Sequence, residues 1–156
     1  MKGLLTTAVI SVFLTGINPV FAGERGTAAE AEALVKKAVA YLKSHSREEA
    51  FAKFQDQEGG FVDKDLYIFV YDLNGNNVAH GANINMVGKN LLNAKDGGGK
   101  YYVRERLELA KNKDKFWQDY KFFNPMTQKI ESKTSYMEKV GDLIVGCGVY
   151  KDPLAY

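Results

Sequence analysis

The side chains that could bind a small acid are two cations and one histidine, spread along the chain. Lys133 could neutralise a carboxylate, and burial beside an apolar wall would make this contact stronger than the ~0–1 kcal/mol of an exposed ion pair. Arg106 lies four residues after Tyr102 on a predicted helix and could bind a carboxylate through two parallel hydrogen bonds. His80, between a predicted strand and a glycine, could donate another hydrogen bond.

Each of these side chains also has a purely structural interpretation. Lys133 lies in a segment rich in polar residues and could be solvated, and Arg106 could pair with Glu105 or Glu108 on the outside of a helix. A lone histidine after a strand, such as His80, often only satisfies the backbone of a loop. The sequence alone leaves both interpretations open.

The apolar wall of such a site is predicted in the segment DKFWQDYKFFNPMTQKIESKTSYM, residues 114–137. Strand alternation divides its first half into two faces, one with Phe116, Gln118, Tyr120 and Phe122 and one with Trp117, Asp119, Lys121 and Phe123. The first face should meet the core or a pocket, where the hydroxyl of Tyr120 could orient an acid. Phe116 and Phe122 fit either role, and Trp117 should cover a sheet edge or the crossover.

Tyr136 is a further candidate contact, three residues after Lys133. In a regular strand, residues three apart point to opposite faces of the sheet. We infer a bulge between them, which would bring both side chains to one ligand.

The composition argues against several classes of function. The chain has 156 residues, with 21 Lys and Arg against 19 Asp and Glu, so nucleic acid is a poor candidate partner. Its two histidines and the single Cys147 exclude an internal disulfide and a His/Cys metal cluster. Motifs for a serine nucleophile, a metalloprotease or a phosphate loop are absent, so we expect neither enzymatic activity nor a cofactor.

The first 22 residues, MKGLLTTAVISVFLTGINPVFA, have the features of a secretory signal. A basic start precedes an apolar stretch shorter than the roughly 20 residues of a membrane-spanning helix, and small residues follow. We expect residues 1–22 to be cleaved and residues 23–156 to form one domain in the periplasm or outside the cell.

The rest of the sequence predicts an α+β domain. The predicted helices are Thr27 to Leu42, Arg47 to about Gln55 (with a Ser46–Glu49 capping box), and residues 101–112. The predicted strands form a hairpin over residues 66–81, turning at Asn74-Gly75, and a meander at about 115–123, 128–138 and 142–150. Together they predict a five-stranded antiparallel sheet with a long N-terminal helix on one face and a helical crossover. Gly146 and Gly148 would leave a groove for that helix or for a ligand.

Several segments, in this order, carry a family resemblance: YIFVYDLNGNNVAHG, MVGKNLLNAKD, FWQDYKFFNPMTQKIESKTSY and IVGCGVYKD. They resemble the extracytoplasmic single Cache domain of type 2, a relative of the PAS fold, from the first helix to Tyr150. The resemblance implies a sensor domain that binds a small molecule, often a short carboxylate, between the sheet and the crossover. Because no spanning segment or kinase region follows the signal in this sequence, it also implies action through a partner, such as a membrane receptor or transporter.

A second hypothesis is an interaction protein without a functional ligand. Its N-terminal helix would pair with a second copy or dock on a membrane receptor. The alanines on the outward side of that helix make close pairing possible: Ala28, Ala29, Ala33 and Ala40.

Overall fold

The computed structural model describes residues 24–151, so the predicted signal segment lies outside the described residues. The elements are α1 (Ala28–Ser44), α2 (Arg47–Gln55), β1 (Val62–Asp63), β2 (Leu66–Tyr67), β3 (Phe69–Asp72), β4 (Asn77–His80), a 3₁₀ turn (Ile84–Met86), α3 (Tyr102–Asn112), β5 (Lys115–Asn124), β6 (Lys129–Val140) and β7 (Leu143–Tyr150). Within residues 24–151, no helix has the length and apolar character needed to cross a membrane.

Five strands form one antiparallel sheet in the order β4-β3-β7-β6-β5, which confirms the predicted α+β architecture. The last strand, β7, lies at its centre between the N-terminal hairpin and the β5–β6 hairpin. The first strand of the hairpin predicted over residues 66–81 is divided at Ile68. Its first part, β2, pairs instead with the unpredicted β1 in a separate two-stranded sheet.

Capping boxes start both N-terminal helices, as predicted for the second. The Thr27 hydroxyl accepts from the Glu30 backbone, and the Glu30 carboxylate accepts from the Thr27 backbone. Ser46 and Glu49 repeat the arrangement at α2. These reciprocal bonds satisfy backbone N–H groups that a helix start otherwise leaves without partners.

The two faces of the sheet have different chemistry. The face under α1 and α2, here called the helix face, carries mostly aliphatic residues, among them Ile68, Val70, Val145 and Cys147. The opposite face, here called the cavity face, is covered by α3 and carries mainly rings: Tyr67, Phe69, Tyr71, Phe116, Tyr120 and Tyr150. Successive side chains of β2, β3 and β5–β7 therefore divide between an aliphatic core and an aromatic layer.

The inferred bulge between Lys133 and Tyr136 is wrong. The register of β6 with both β5 and β7 runs without a shift through these residues. Lys133 therefore points to the cavity face, and Tyr136 packs in the core under α1. A central strand paired on both sides cannot insert an extra residue without breaking two ladders.

Gly146 and Gly148 do leave a groove, but α1 does not occupy it. A Cβ on Gly146 would overlap the Phe69 ring, and one on Gly148 would lie 2.6 Å from Cε of Lys133. Both neighbours belong to the cavity face. The groove is filled by side chains of the sheet itself, and Gly148 provides the space for the Lys133 stem.

Candidate functional site

A small cavity lies on the cavity face, between the sheet and α3. Its volume is about 10 Å³, and its lining residues are Tyr67, Phe69, Tyr71, His80, Tyr102, Arg106, Tyr120 and Phe122. This space suits about one water molecule. Even the smallest organic acids have more heavy atoms than water, so binding of an acid here requires lining side chains to move outward.

Arg106 is the main charged group of the cavity, and it is only 1% exposed. It lies on the buried side of α3 with Tyr102, Val103 and Ala110, at the three-and-four spacing that normally carries apolar residues. The interpretation of Arg106 as a solvated helix charge is therefore wrong. An arginine at a core position of an amphipathic helix is expensive to bury and points to a specific use.

The guanidinium of Arg106 lies among four aromatic rings. Its Cζ is 4.8 Å from the centroid of Phe69, 4.7 Å from Tyr71, and 5.4 Å from both Tyr102 and Tyr120. Cation–π attraction to these rings offsets part of the lost hydration. Its Nη2 atom is buried and has no hydrogen-bond partner among the described residues.

Gln118 fixes the orientation of Arg106. Its Oε1 accepts from Arg106 Nε at 3.2 Å, and its Nε2 donates to the Tyr102 carbonyl and to Glu105, each at 2.8 Å. Both ends of the amide are thus engaged, and the fork of the guanidinium is held beside the cavity. Within the described chain no carboxylate lies within 4.0 Å of Arg106, because Glu105 reaches Gln118 and Lys100 instead.

Lys133 is the second buried cation, also 1% exposed, so the interpretation as a solvated lysine is wrong. Its Nζ donates to the hydroxyls of Tyr67 at 2.7 Å and Tyr150 at 3.2 Å. Its Nζ also lies 4.0 Å from the centroid of the Tyr67 ring and 5.6 Å from that of Phe122, two rings that line the cavity. Burial lowers the pKa of Lys133 to about 7.

The hydroxyl hydrogens around Lys133 can be assigned. Tyr150 donates to the Phe123 carbonyl at 2.6 Å, so its oxygen accepts from Tyr67, 3.0 Å away. The Tyr67 oxygen then accepts from Lys133. Burial raises the pKa of both tyrosines, which keeps both hydroxyls neutral.

His80 contacts both the loop and the cavity. Its Nδ1 accepts from the backbone N–H groups of Ala82 at 3.3 Å and Asn83 at 3.0 Å, as the structural interpretation expects. Burial, with Lys133 and Arg106 nearby, lowers the pKa of His80 to about 3. The neutral ring therefore carries its proton on Nε2, which is a donor.

The structure brings together only some of the predicted contacts. His80, Arg106, Tyr120 and Phe122 line the cavity, and Lys133 adjoins it. Phe116 lies in the same aromatic layer but outside the lining. Trp117 and Tyr136 lie on the helix face, where their ring centroids are 5.2 Å apart, and Trp117 is 40% exposed.

Four lining rings were not predicted as contacts: Tyr67, Phe69, Tyr71 and Tyr102. The spacing of the first three was readable, because rings at every second position of DLYIFVYD share one face of a strand. The near-continuous apolar run concealed this alternation.

Tyr120 and Lys133 also line a wider surface cleft of about 270 Å³ with, among others, Lys100, Lys121 and Lys151.

Comparison with known families identifies the fold. The family model described as Single Cache domain 2 matches residues 9–154. The chain belongs to this family. It is therefore a sensor domain of the Cache type, as the sequence resemblance predicted.

Relatives of the Cache domain occur in signalling proteins. A 91-residue stretch, 57% of the chain, is 36% identical to the sensor histidine kinase MctS of Rhizobium johnstonii (strain DSM 114642 / LMG 32736 / 3841). The match spans about a fifth of that kinase, 20% of its length.

Solved structures share the fold. A methyl-accepting chemotaxis protein from Vibrio parahaemolyticus RIMD 2210633 is similar with a TM-score of 0.70 and 22% identity, over 80% of this chain and 88% of that one. A Cache chemosensory domain described for carboxylic acid recognition gives a TM-score of 0.70 and 24% identity, over 80% and 92%. The periplasmic sensor domain of a chemotaxis protein gives 0.59 and 23%, over 80% and 90%.

Proposed function

We propose that this Cache domain senses a short organic acid, held without covalent chemistry in the cavity under α3. The observation that carries the proposal is Arg106, a buried residue that lines the cavity and whose Nη2 lacks a hydrogen-bond partner in the described chain. A carboxylate supplies what this group lacks, namely two acceptor oxygens and a negative charge.

The surrounding side chains suit a small, partly apolar acid. The rings of Phe69 and Phe122 would contact its hydrocarbon part, and His80 Nε2 would donate a further hydrogen bond. Lys133 adds positive charge beside the cavity. Carboxylic acid recognition by a Cache domain of the same fold supports the assignment.

Binding would act through conformation. Because the cavity of about 10 Å³ must enlarge to take an acid, the bound and free domains differ in the positions of the lining side chains and of α3 or the crossover. A partner that binds these two forms with different affinity would respond to the presence of the ligand. We propose a membrane receptor or transporter as that partner. We also propose periplasmic placement after cleavage of residues 1–22.

The second hypothesis, pairing through the N-terminal helix, gains no support from the exposed side of α1. Exposed positions of α1 carry alanines and lysines, such as Ala29, Ala33, Lys36 and Ala40. Large exposed hydrophobic residues of the described chain lie elsewhere, several of them on the β5–β6 hairpin. A homodimer therefore stays a prediction.

The test is a titration of residues 23–156 with acetate, propionate and butyrate, followed by calorimetry and thermal unfolding. An acid at 100 times its dissociation constant should stabilise the fold by about 2.7 kcal/mol. Arg106→Gln should abolish this stabilisation. Arg104→Gln is the matched control, because Arg104 lies on the exposed side of the same helix and bonds Leu92 and Asn93.

Two results would contradict the proposal. One is the absence of binding by all three acids to a folded wild-type protein. The other is equal loss of binding in Arg106→Gln and Arg104→Gln, which would place the acid outside the cavity.

A further inference from the structure

Lys133 and Arg106, the two buried cations of the site, differ in how readily they lose a proton. A guanidinium remains charged at all physiological pH values, whereas an ammonium loses its proton readily when buried. Lys133 is buried in contact with neutral groups only: two tyrosine hydroxyls and several rings. In the described chain, no carboxylate lies within 4.0 Å of its Nζ to hold the proton in place.

We propose that Lys133 is the proton-linked cation of the site, so that binding of a carboxylate is accompanied by uptake of one proton at Lys133 Nζ. The inference rests on the proposed function and adds its regulation by pH. A negative charge arriving beside a buried amine stabilises the protonated form. By linkage, the protonated form then binds the acid more tightly than the neutral form.

Among the titratable groups around this site, Lys133 is the one that changes its charge near neutral pH. The groups that contact it or act on its charge from the cavity side are Asp65, Tyr67, His80, Arg106, Tyr120, Cys147 and Tyr150. The surface cleft that Lys133 also lines adds Asp96, Lys100, Asp119, Lys121 and Lys151, and the lowered pKa values of both aspartates keep them ionised. The pKa of His80, lowered to about 3, keeps that ring neutral above pH 6. Burial raises the pKa of Cys147 to about 12 and also raises those of the three tyrosines.

Asp65 is the acidic member of this set. Its Oδ1 accepts from the Gly26 backbone at 2.7 Å, and its Oδ2 is buried without a hydrogen-bond partner in the described chain. Its attraction for the charge on Lys133 is weaker than the effect of burial. The amine therefore remains close to half protonated at neutral pH, since its pKa lies at about 7.

The expected dependence on pH follows directly. Short carboxylic acids are anions throughout pH 6–9, so their own charge does not change. Below pH 7 Lys133 is already protonated and affinity should be constant. Above pH 7 only the protonated fraction binds well, so affinity should fall about tenfold per pH unit, to on the order of 100-fold at pH 9.

The experiment is calorimetric titration of residues 23–156 with acetate, propionate and butyrate at pH 6, 8 and 9. At pH 8 it is repeated in phosphate and in Tris, whose heats of ionisation differ. The expected results are the loss of affinity above pH 7 and uptake of ~0.9 proton at pH 8. His45→Gln is the control, because His45 is the second of the two histidines and lies at the end of α1, stacked on Tyr41 and outside the cavity lining. This variant should keep the wild-type profile.

Lys133→Met should bind more weakly at pH 6 and show neither the pH dependence nor the proton uptake. Because that variant could also lose its fold or all its affinity, a second measurement uses the wild-type protein alone. The ¹³Cε shift of Lys133 is followed against pH with and without propionate, and the midpoint should rise by at least about three pH units with the acid, which is the shift that the ~100-fold loss of affinity at pH 9 requires.

The outcomes separate the two proposals. If the acids bind equally at pH 6 and pH 9 with no proton uptake, the role of Lys133 is overturned and the carboxylate site stands. The role is also overturned if Lys133→Met keeps the wild-type profile. If none of the acids binds at pH 6, the proposed function fails, and the linkage fails with it.

Discussion

The two faces of the sheet are built from the same strands but bury different kinds of side chains. The helix face buries aliphatic side chains under α1 and leaves little polar chemistry inside. The cavity face buries two cations, Arg106 and Lys133, among rings, and one of them lacks a full set of hydrogen bonds. The first arrangement maximises stability, and the second sacrifices some stability to keep a charged site available.

The largest expected effect is on the helix face. Phe54 of α2 is fully buried and packs against Phe61, with ring centroids 4.8 Å apart. Phe54→Ala should lower the free energy of unfolding by ~3–5 kcal/mol, through lost burial and the cavity left behind. Urea denaturation measures this loss. Acid binding to the remaining folded protein should be unchanged, and a comparable loss of affinity would mean that the two faces are not independent.

Arg106→Met, on the cavity face, should raise the free energy of unfolding. Methionine fills similar space without a charge that needs hydration, so the variant should unfold at higher urea concentration, with a gain of ~1–3 kcal/mol. The same variant should lose acid binding. Stability at or below that of the wild-type protein would show that Arg106 supports the fold rather than a ligand.

Lys133 should make stability depend on pH. Its pKa, about 7 when folded, is below that of an unfolded lysine, near 10.4, so the unfolded chain binds more protons between these values and stability rises with pH. From pH 7 to pH 9 the wild-type protein should gain about 2 kcal/mol relative to Lys133→Met. At each pH, the free energy of unfolding of each protein is its urea midpoint multiplied by its m-value. The change in the difference between the two proteins from pH 7 to pH 9 gives this quantity. A difference that does not change with pH would show that Lys133 keeps its proton throughout.

The smallest effect is expected for Tyr136→Phe. The Tyr136 hydroxyl donates to Glu138 at 2.8 Å on the helix face, away from the cavity. Its removal should leave acid affinity within about twofold of the wild-type value by calorimetry. A loss of tenfold or more would restore Tyr136 as a ligand contact and contradict the division into two faces.

The order and type of the elements were predictable from local patterns. Helix periodicity, the Ser46–Glu49 capping box and the Asn74-Gly75 turn are encoded within a few residues, and the structure contains each of them. The division at Ile68 and the pairing of β2 with β1 were not predictable, because they depend on strands meeting across the fold.

The site was only partly predictable, for a related reason. Arg106 has the sequence context of an exposed helix charge, with glutamates on both sides, and only the packing of α3 on the sheet shows that it is buried. From the sequence, Lys133 and Tyr136 are predicted to contact one ligand through a bulge. The continuous register of β6 instead places the two side chains on opposite faces of the sheet. The aromatic alternation of Tyr67, Phe69 and Tyr71 was the signal in the sequence that could have located the cavity face.

The most direct test of the central claim is a crystal structure of residues 23–156 grown with propionate. We predict the carboxylate in an enlarged cavity under α3, with one oxygen ~2.7–2.9 Å from Arg106 Nη2, the distance of a charge-assisted hydrogen bond. Propionate bound instead in the surface cleft beside Lys100 and Lys121, with Arg106 Nη2 still lacking a partner, would contradict the account.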